Sequence, residues 1–411
     1  MAIEGEGVRD DRIMKIALVS PYDFAHPGGV VTHITNLYQH LVGMGLEVKI
    51  IAPTSDVIDV FGNHFIRIGK PRPIPVSESI SRVPISLNLG PEIKAVLARE
   101  KFDIIHLHEP FAPMLCSAVL RFSDAKNVGT FHAADGKPGY NLGWPIGRMI
   151  LRRRRRKLDG RIAVSKPAMQ YASKYVPGEY TIIPNGTDVR YFNPNVRPIE
   201  KFCDDKLNIV FVSRLERRKG VDYLLPAFQE VKSQIPDSRL LIVGHGTRLR
   251  KGYEDWVRKQ KLEDVVFVGG VSYAELPGYF RTGDVFCVPA TGRESQGAVL
   301  LEAMATGRPV VATNIDGYAT VVTHGEQGLL VPPRDSHALA EALVKLLRDE
   351  PLRRRMGEKG LARAQEFSWD VVARRVVEYY RKMLNGHQTS AGGTGDPPTG
   401  ERTSEMPEKG V

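Results

Sequence analysis

A chain of 411 residues with 42% apolar and 25% charged side chains has the composition of a soluble globular protein and is too long for one ordinary core, so two domains of roughly 150–200 residues are expected. A formal charge of +10 attracts anions, whether nucleic acid, anionic lipid or phosphorylated small molecules, without choosing among them. Cys116, Cys203 and Cys287 lie far apart and outside any CxxC spacing, which argues against a disulfide frame or a zinc site and fits a reducing cytoplasm. The opening MAIEGEGVRDDR lacks the apolar core of a secretory signal, and no apolar run approaches the ~20 residues that span a bilayer, so any membrane association is expected to be peripheral.

Residues 14–20, MKIALVS, form the continuous apolar run of a parallel strand buried on both faces. Pro27-Gly28-Gly29 breaks the chain, after which Val30, Ile34, Leu37 and Leu41 recur at helical spacing up to a Gly43-Met44-Gly45 stop. VKIIAP (48–53) completes a βαβ unit, and DIIHLHEP (103–110), NVGTFH (127–132), GRIAVS (160–165) and YTIIPNG (180–186) extend it. Beyond the polar, Pro-containing PNVRPIEKFCDDK a second series runs through LNIVFVSRL (207–215), RLLIVGHG (239–246), VVFVGGV (265–271), DVFCVP (284–289), RPVVAT (308–313) and GLLVPP (328–333). This alternation predicts two doubly wound α/β domains joined near 190–206. A last helix over 368–384 follows the second sheet, and the Gly-, Pro- and Glu-rich tail over 386–411 is expected to be disordered.

Several strand ends carry candidate chemistry. In DVFCVPATGRESQGAVLLEAMATG a buried strand runs into a polar loop with Glu294 and then a helix with Glu302, placing an acid and a free helix N-terminus where open α/β sheets bind ligands. Gly28 and Gly29 precede a helix and allow close backbone approach to a phosphate, or simply make a turn. Gly244-His245-Gly246 imitates a dinucleotide loop, but Leu249 replaces its third glycine and the unit stands in mid-domain. Arg214, Arg217, Arg218 and Lys219 at another strand end suit a diphosphate clamp or a solvated charge run. His132 ends a strand on the same kind of edge, as a substrate contact or a structural histidine. His106 and His108 have only Glu109 close by and no third spaced metal ligand, and no Asp-x-Asp is present to hold a metal–diphosphate. The run Arg152, Arg153, Arg154, Arg155, Arg156 and Lys157, preceded by Trp144, Ile146, Met149, Ile150 and Leu151, fits a solvated helix face, an anionic lipid surface or nucleic acid.

SPYDFAHPGGVVTHI, DIIHLHEPFAP, TFH, GRIAVS, IPNGTDV, SRLERRKG, LIVGHG and ESQGAVLLEAMATGRPVVAT together make the chain resemble the retaining GT-B glycosyltransferases of family 4, and within them the phosphatidylinositol mannosyltransferases, from about residue 14 to 384. The resemblance implies two Rossmann-like domains facing a cleft: an acceptor-side domain over 13–195 and a nucleotide-sugar domain over 206–367, with helix 368–384 packing back on the first. It matches Glu294 to the acid on the donor sugar, Glu302 to the one on the ribose, and Arg214 and Lys219 to the diphosphate clamp. Gly28 and Gly29 match the loop near the diphosphate, His132 the reaction centre, and Val271, Ser295, Gln296 and Gly297 further donor contacts. Gln296 stands where an aromatic often follows Glu-Ser. Tyr22 and Arg82 match positions tied to an inositol-phosphate acceptor.

The activity implied is metal- and cofactor-independent transfer of mannose from GDP-mannose to a phosphatidylinositol-type lipid, with retention by a front-face route. The same fold with a UDP-sugar donor, or a soluble or other glycolipid acceptor, is the alternative. The implied partners are a nucleotide sugar and an anionic membrane surface; GPEIKAVLAREK (90–101) is less basic than the membrane-binding helix of those relatives, which shifts that contact to Arg152–Lys157. Nucleic acid would explain the charge but not the paired glutamates. A cytoplasmic protein, peripheral on the inner face of the cell membrane, is the expected setting.

Overall fold

The structure is a computed structural model that describes residues 13–385 apart from 27, 77–78, 85–88, 113, 136–151 and 247. The first half comprises β1 (Lys15–Val19), α1 (Gly29–Gly43), β2 (Glu47–Ala52), β3 (Phe65–Arg67), β4 (Pro71–Val76), β5 (Ser79–Pro84), α2 (Gly90–Glu100), β6 (Ile104–His108), α3 (Leu115–Phe122), β7 (Lys126–Phe131), β8 (Gly160–Ala163), α4 (Lys166–Ser173) and β9 (Thr181–Ile182). A parallel sheet in the order β3-β2-β1-β6-β7-β8-β9 forms its centre. The second half continues with β10 (Leu207–Val212), α5 (Val221–Gln234), β11 (Ser238–Val243), α6 (Leu249–Lys259), β12 (Val265–Gly269), α7 (Leu276–Thr282), β13 (Val285–Val288), α8 (Ala298–Ala305), β14 (Val310–Thr313), α9 (Asp316–Ala319) and β15 (Gly328–Val331), then α10 (Ser336–Arg348), α11 (Glu350–Glu366) and α12 (Trp369–Asn385). Its sheet is parallel too, in the order β12-β11-β10-β13-β14-β15.

The expected α/β fold with two Rossmann-like sheets is therefore present. Each sheet reverses its strand order once, between β1 and β6 and between β10 and β13, and the loops leaving those strands line a crevice by construction. Apolar clusters cover both faces of both sheets, which is why the central strands are buried and mostly apolar, His106 and His108 of β6 being the notable exceptions. Helix starts follow local chemistry: Ser165 caps α4 by accepting from Ala168 N at 3.2 Å, and Asp335 and Asp349 cap α10 and α11 through Ala338 N and Leu352 N at 2.9 and 2.8 Å.

Three features depart from the sequence reading. The core face of α1 is Val31, His33, Ile34, Leu37 and Leu41, with Val30 only half-buried, so a histidine occupies a core position among aliphatics. Strand β3 is too short to stand out. The β4–β5 hairpin is masked by Pro71, Pro73 and Pro75; their alternation places three missing N–H donors on one edge and leaves the other to pair with β5. The final helix packs Trp369, Val372, Ala373, Val376, Val377 and Tyr380 into the apolar cluster of α1 and β1, on the first sheet. The tail over 386–411, and Trp144, Ile146, Met149, Ile150 and Leu151, lie outside the described residues.

Candidate active site

The loops after β10 and β13, neighbouring strands at the second sheet's switch point, meet at a glycine. Gly220 has φ 81°, and a Cβ there would lie 1.8 Å from the Pro289 carbonyl oxygen, so only glycine fits. This close approach sets the turn Arg217–Lys219 against the Glu294 loop, and Thr291 N donates to Arg218 O at 2.8 Å. Lys219 Nζ and Arg218 Nη1 both donate to Glu294 Oε1, at 2.7 and 2.5 Å. Arg218 also reaches the buried Glu216 through Nε at 2.8 Å. Burial pulls the Lys219 ammonium below its ordinary range, and Glu294 opposes that shift.

The expected clamp of Arg214 and Lys219 is thus regrouped. Arg214 turns to Glu216 at 3.1 Å and is half-exposed, whereas Arg218 joins Lys219 on Glu294. Sequence reasoning had Arg218 only as one member of a charge run, because nothing in that run says which cations face inward; the 3-10 turn decides it.

A cavity of about 310 Å³ opens between the two halves. From the second half, Glu294, Ser295, Gly297 and Glu302 line it; Gly29, His33 and His132 line it from the first, and Trp369 of α12 borders it. Gly297 has φ 90° and starts α8, turning the helix N-terminus toward the cavity. Glu302 stands one turn further along that helix, and burial pushes its carboxyl up to about 8. Tyr273, also on the wall, stacks on Tyr191 at 4.7 Å with rings 3° from parallel.

On the first half's wall, Glu109 has φ 53° and sends Oε1 to accept from the backbone N–H of His132 and Ala133, at 2.7 and 3.0 Å. That anchors His132 at the end of β7. His108 Nδ1 and His132 Nε2 share a hydrogen bond at 3.0 Å, and His33 Nδ1 meets Asn185 Oδ1 at 2.9 Å. Behind them His106 bridges the hydroxyls of Tyr380 and Thr130, both at 2.6 Å. Burial drives all four imidazoles below their ordinary range, His33 to about 4 and His106 to about 3, so these histidines are uncharged at neutral pH. The absence of a third metal ligand near His108 is corrected here: His33, His108 and His132 offer ring nitrogens within 4.8 Å of one another, a neutral set able to hold a divalent metal of the imidazole-preferring type.

Two family models match, "Glycosyltransferase Family 4" over residues 27–191 and "Glycosyl transferases group 1" over 193–363. The phosphatidyl-myo-inositol mannosyltransferase of Mycobacterium leprae is 35% identical over 374 residues, covering 90% of this chain and 97% of the relative. The chain belongs to the GT-B glycosyltransferases of family 4. A phosphatidyl-myo-inositol mannosyltransferase of Propionibacterium freudenreichii is 32% identical over 389 residues, covering 92% of this chain and 98% of its own. Among solved structures, a sucrose-phosphate synthase of Thermosynechococcus elongatus superposes with a TM-score of 0.71 at 25% identity, over 91% of this chain and 100% of the other. A glycosyltransferase of Rickettsia africae gives 0.73 at 20% identity, over 90% and 99%, and speaks to the fold alone.

The remaining site positions of this GT-B glycosyltransferase fall into place around that cleft. A Cβ at Gly28 or Gly29 would meet nothing within 4 Å, so the backbone there faces open space. Val271 packs against the second half's apolar cluster and is not among the cavity-lining residues. Gln296, expected as a donor contact, is instead buried with its carboxamide on Asn185: Oε1 accepts from Asn185 N at 2.7 Å and Nε2 donates to Asn185 O at 3.1 Å. Its side chain is therefore committed to protein. Tyr22 and Arg82 are not among the cavity-lining residues but are near each other in the fold, since Asp23 N donates to Arg82 O at 2.9 Å and ties the β4–β5 hairpin to the loop carrying Tyr22. In the basic run, Lys157 Nζ donates to the carbonyls of Arg121 and Ser123 at the end of α3, at 2.9 and 3.0 Å, so it acts as a helix C-cap. Arg152, Arg153 and Arg156 are exposed, while Arg154 and Arg155 are half-buried. No helix among the described residues is long and apolar enough to cross a membrane.

Proposed function

We propose that this glycosyltransferase moves mannose from GDP-mannose to a phosphatidylinositol-type lipid, with retention of configuration and without a metal. The observation that carries the reading is that Lys219 and Arg218 pair with Glu294, which lines a cavity whose other wall holds His132, in a chain 35% identical to a phosphatidyl-myo-inositol mannosyltransferase. A donor diphosphate takes over the two cations, which are already largely withdrawn from water, and stabilises as a leaving group there. Glu294, released from them, accepts hydroxyls of the sugar, and Glu302 accepts those of the ribose. Neutral His132 contacts the sugar without adding charge to the wall. The front-face route then has a leaving-group phosphate oxygen take the proton of the incoming hydroxyl as the new glycosidic bond forms on the face the nucleotide leaves. Charge neutralisation that a metal could supply falls in this reading to Lys219 and Arg218. The lipid acceptor places the enzyme at a membrane surface, with Tyr22 and Arg82 on the acceptor side and Arg152, Arg153 and Arg156 as the exposed cations.

The deciding experiment offers GDP-mannose, UDP-glucose and ADP-glucose to the full chain with vesicles containing phosphatidylinositol, with and without EDTA, and reads the product's anomeric configuration by NMR. Transfer of α-linked mannose, undiminished by EDTA, is expected. Preference for a UDP-sugar, or an inverted product, overturns the donor or the stereochemical part respectively.

A further inference from the structure

We propose that Gln296 is a positioning residue that braces the two domains closed and couples the donor loop to His132. Its side chain is 2% exposed, and both polar atoms bind the same partner, Asn185, which follows β9 in the first domain. Oε1 accepts from the Asn185 N–H at 2.7 Å while Nε2 donates to the Asn185 carbonyl at 3.1 Å. A primary amide can serve as acceptor and donor at once in this way; a carboxylate supplies only the acceptor and an aliphatic neither. Gln296 sits two residues from Glu294 and one from the start of the cavity-facing turn at Gly297. Beyond Asn185 the contact continues, for its own Oδ1 meets His33 Nδ1 at 2.9 Å, and the His33 ring lies edge-on to His132 and to Trp369 with centroids 4.8 and 5.0 Å apart. A second link across the cleft, Arg293 Nε to Asp135 Oδ2 at 3.1 Å, has both partners more than half exposed and is weakened by solvent. The buried amide pair is the stronger of the two.

Two neutral hydrogen bonds in a dry interface bias the closed arrangement by about tenfold to a hundredfold. Without them the chain rests open, and the donor must drive closure, so its apparent affinity falls by the fraction of molecules left closed. The inference uses the glycosyl-transfer reading for its kinetics, but the shape of the nucleotide-free protein tests it separately.

Small-angle scattering and steady-state kinetics on Gln296→Leu, Gln296→Glu and Asn185→Ala in the full chain provide the test. For Gln296→Leu we expect a larger radius of gyration than wild type without nucleotide, recovery with saturating GDP, and a donor KM raised about tenfold or more with a smaller loss in kcat. Gln296→Glu, which keeps the acceptor only, should fall between. Asn185→Ala keeps the backbone partners of Gln296, so its radius should stay at the wild-type value while kcat falls. An unchanged nucleotide-free radius for Gln296→Leu, or a loss in kcat at constant KM, overturns the brace. If wild type binds no nucleoside diphosphate, the transferase reading fails, while the nucleotide-free radii still decide the brace.

Discussion

On the second domain's side of the cavity, Lys219 and Arg218 converge from behind on one oxygen of the lining Glu294; on the facing side, His33 and His132 line the wall with His108 behind them, all three held neutral by burial. The two walls thus handle electrostatics in opposite ways. Cations already withdrawn from water and paired with a carboxylate can exchange that partner for a diphosphate with little further desolvation. An imidazole wall supplies hydrogen bonds without repelling the cations opposite or competing for the anion. In the proposed reading, the contrast gives anion capture to the second domain and shape and hydrogen bonding to the first.

Glu294→Ala breaks the contrast most severely. Turnover is expected to fall by about 10²–10³-fold or more, since the proposed contact to the reacting sugar is lost. GDP binding should persist, because Glu294 competes with the diphosphate for Lys219 and Arg218. The variant leaves Lys219 without its carboxylate and Arg218 with Glu216 alone, so GDP should raise its melting temperature more than it raises that of wild type. Near-normal turnover would remove Glu294 from the chemistry.

Lys219→Ala acts on the same wall by a different route. Loss of one charge-assisted hydrogen bond to phosphate should weaken GDP by about ten- to a hundredfold in calorimetry. Binding of phosphatidylinositol vesicles should be unchanged. Equal weakening of both ligands would mean that charge is shared between the walls rather than confined to one.

Glu302 allows the contrast to be read by pH. Its folded pKa of about 8 stands above the ordinary 4.5, so the carboxyl is neutral at pH 7. Ribose hydroxyls that donate to it favour the ionised form, so donor binding should release a proton. Affinity for GDP then rises with pH by up to about tenfold per unit and flattens above pH 8. For folding the sign is the same as for any raised pKa: the contribution is fully present below about 4.5 and lost as pH rises through about 8. Glu302→Gln should therefore abolish the pH dependence of GDP binding and gain thermal stability relative to wild type in alkaline buffer. A pH-independent wild-type affinity between pH 6 and 8 would sink the ribose assignment.

How far this was legible in the sequence depended on whether a residue's role is local. Parallel strands buried on both faces announce themselves as apolar runs, and all twelve expected strands are found, whereas the β4–β5 hairpin, built on alternating prolines, reads as loop. Glu294, Glu302, Gly29 and His132 sit at strand ends or helix starts, and they do meet on the cavity. Arg218 was hidden in a run whose facing is set by Gly220. His33 lies inside an apolar helix face and gives no signal until Asn185 comes over it from a segment about 150 residues away. Gln296 was assigned to the donor by its place beside Glu294; its commitment to Asn185 is a tertiary fact that spacing does not carry.

The smallest expected effect separates the cations of the first domain from one another. Lys157 bonds the last carbonyls of α3, while Arg152, Arg153 and Arg156 are exposed, so charge within one run serves two purposes. Lys157→Met removes a cation from a helix C-terminus, worth about 0.5–1 kcal/mol, and should lower the melting temperature by about 1–4 °C without altering sedimentation with anionic vesicles. Replacing Arg152, Arg153 and Arg156 with Ser should leave the melting temperature unchanged and reduce that sedimentation, by about 1 kcal/mol per cation near the lipid surface. Reduced sedimentation from Lys157→Met alone would show that the cap is also a membrane contact. Undiminished sedimentation of the triple Ser variant would return the whole run to an ordinary solvated helix face and move the membrane contact elsewhere on the first domain.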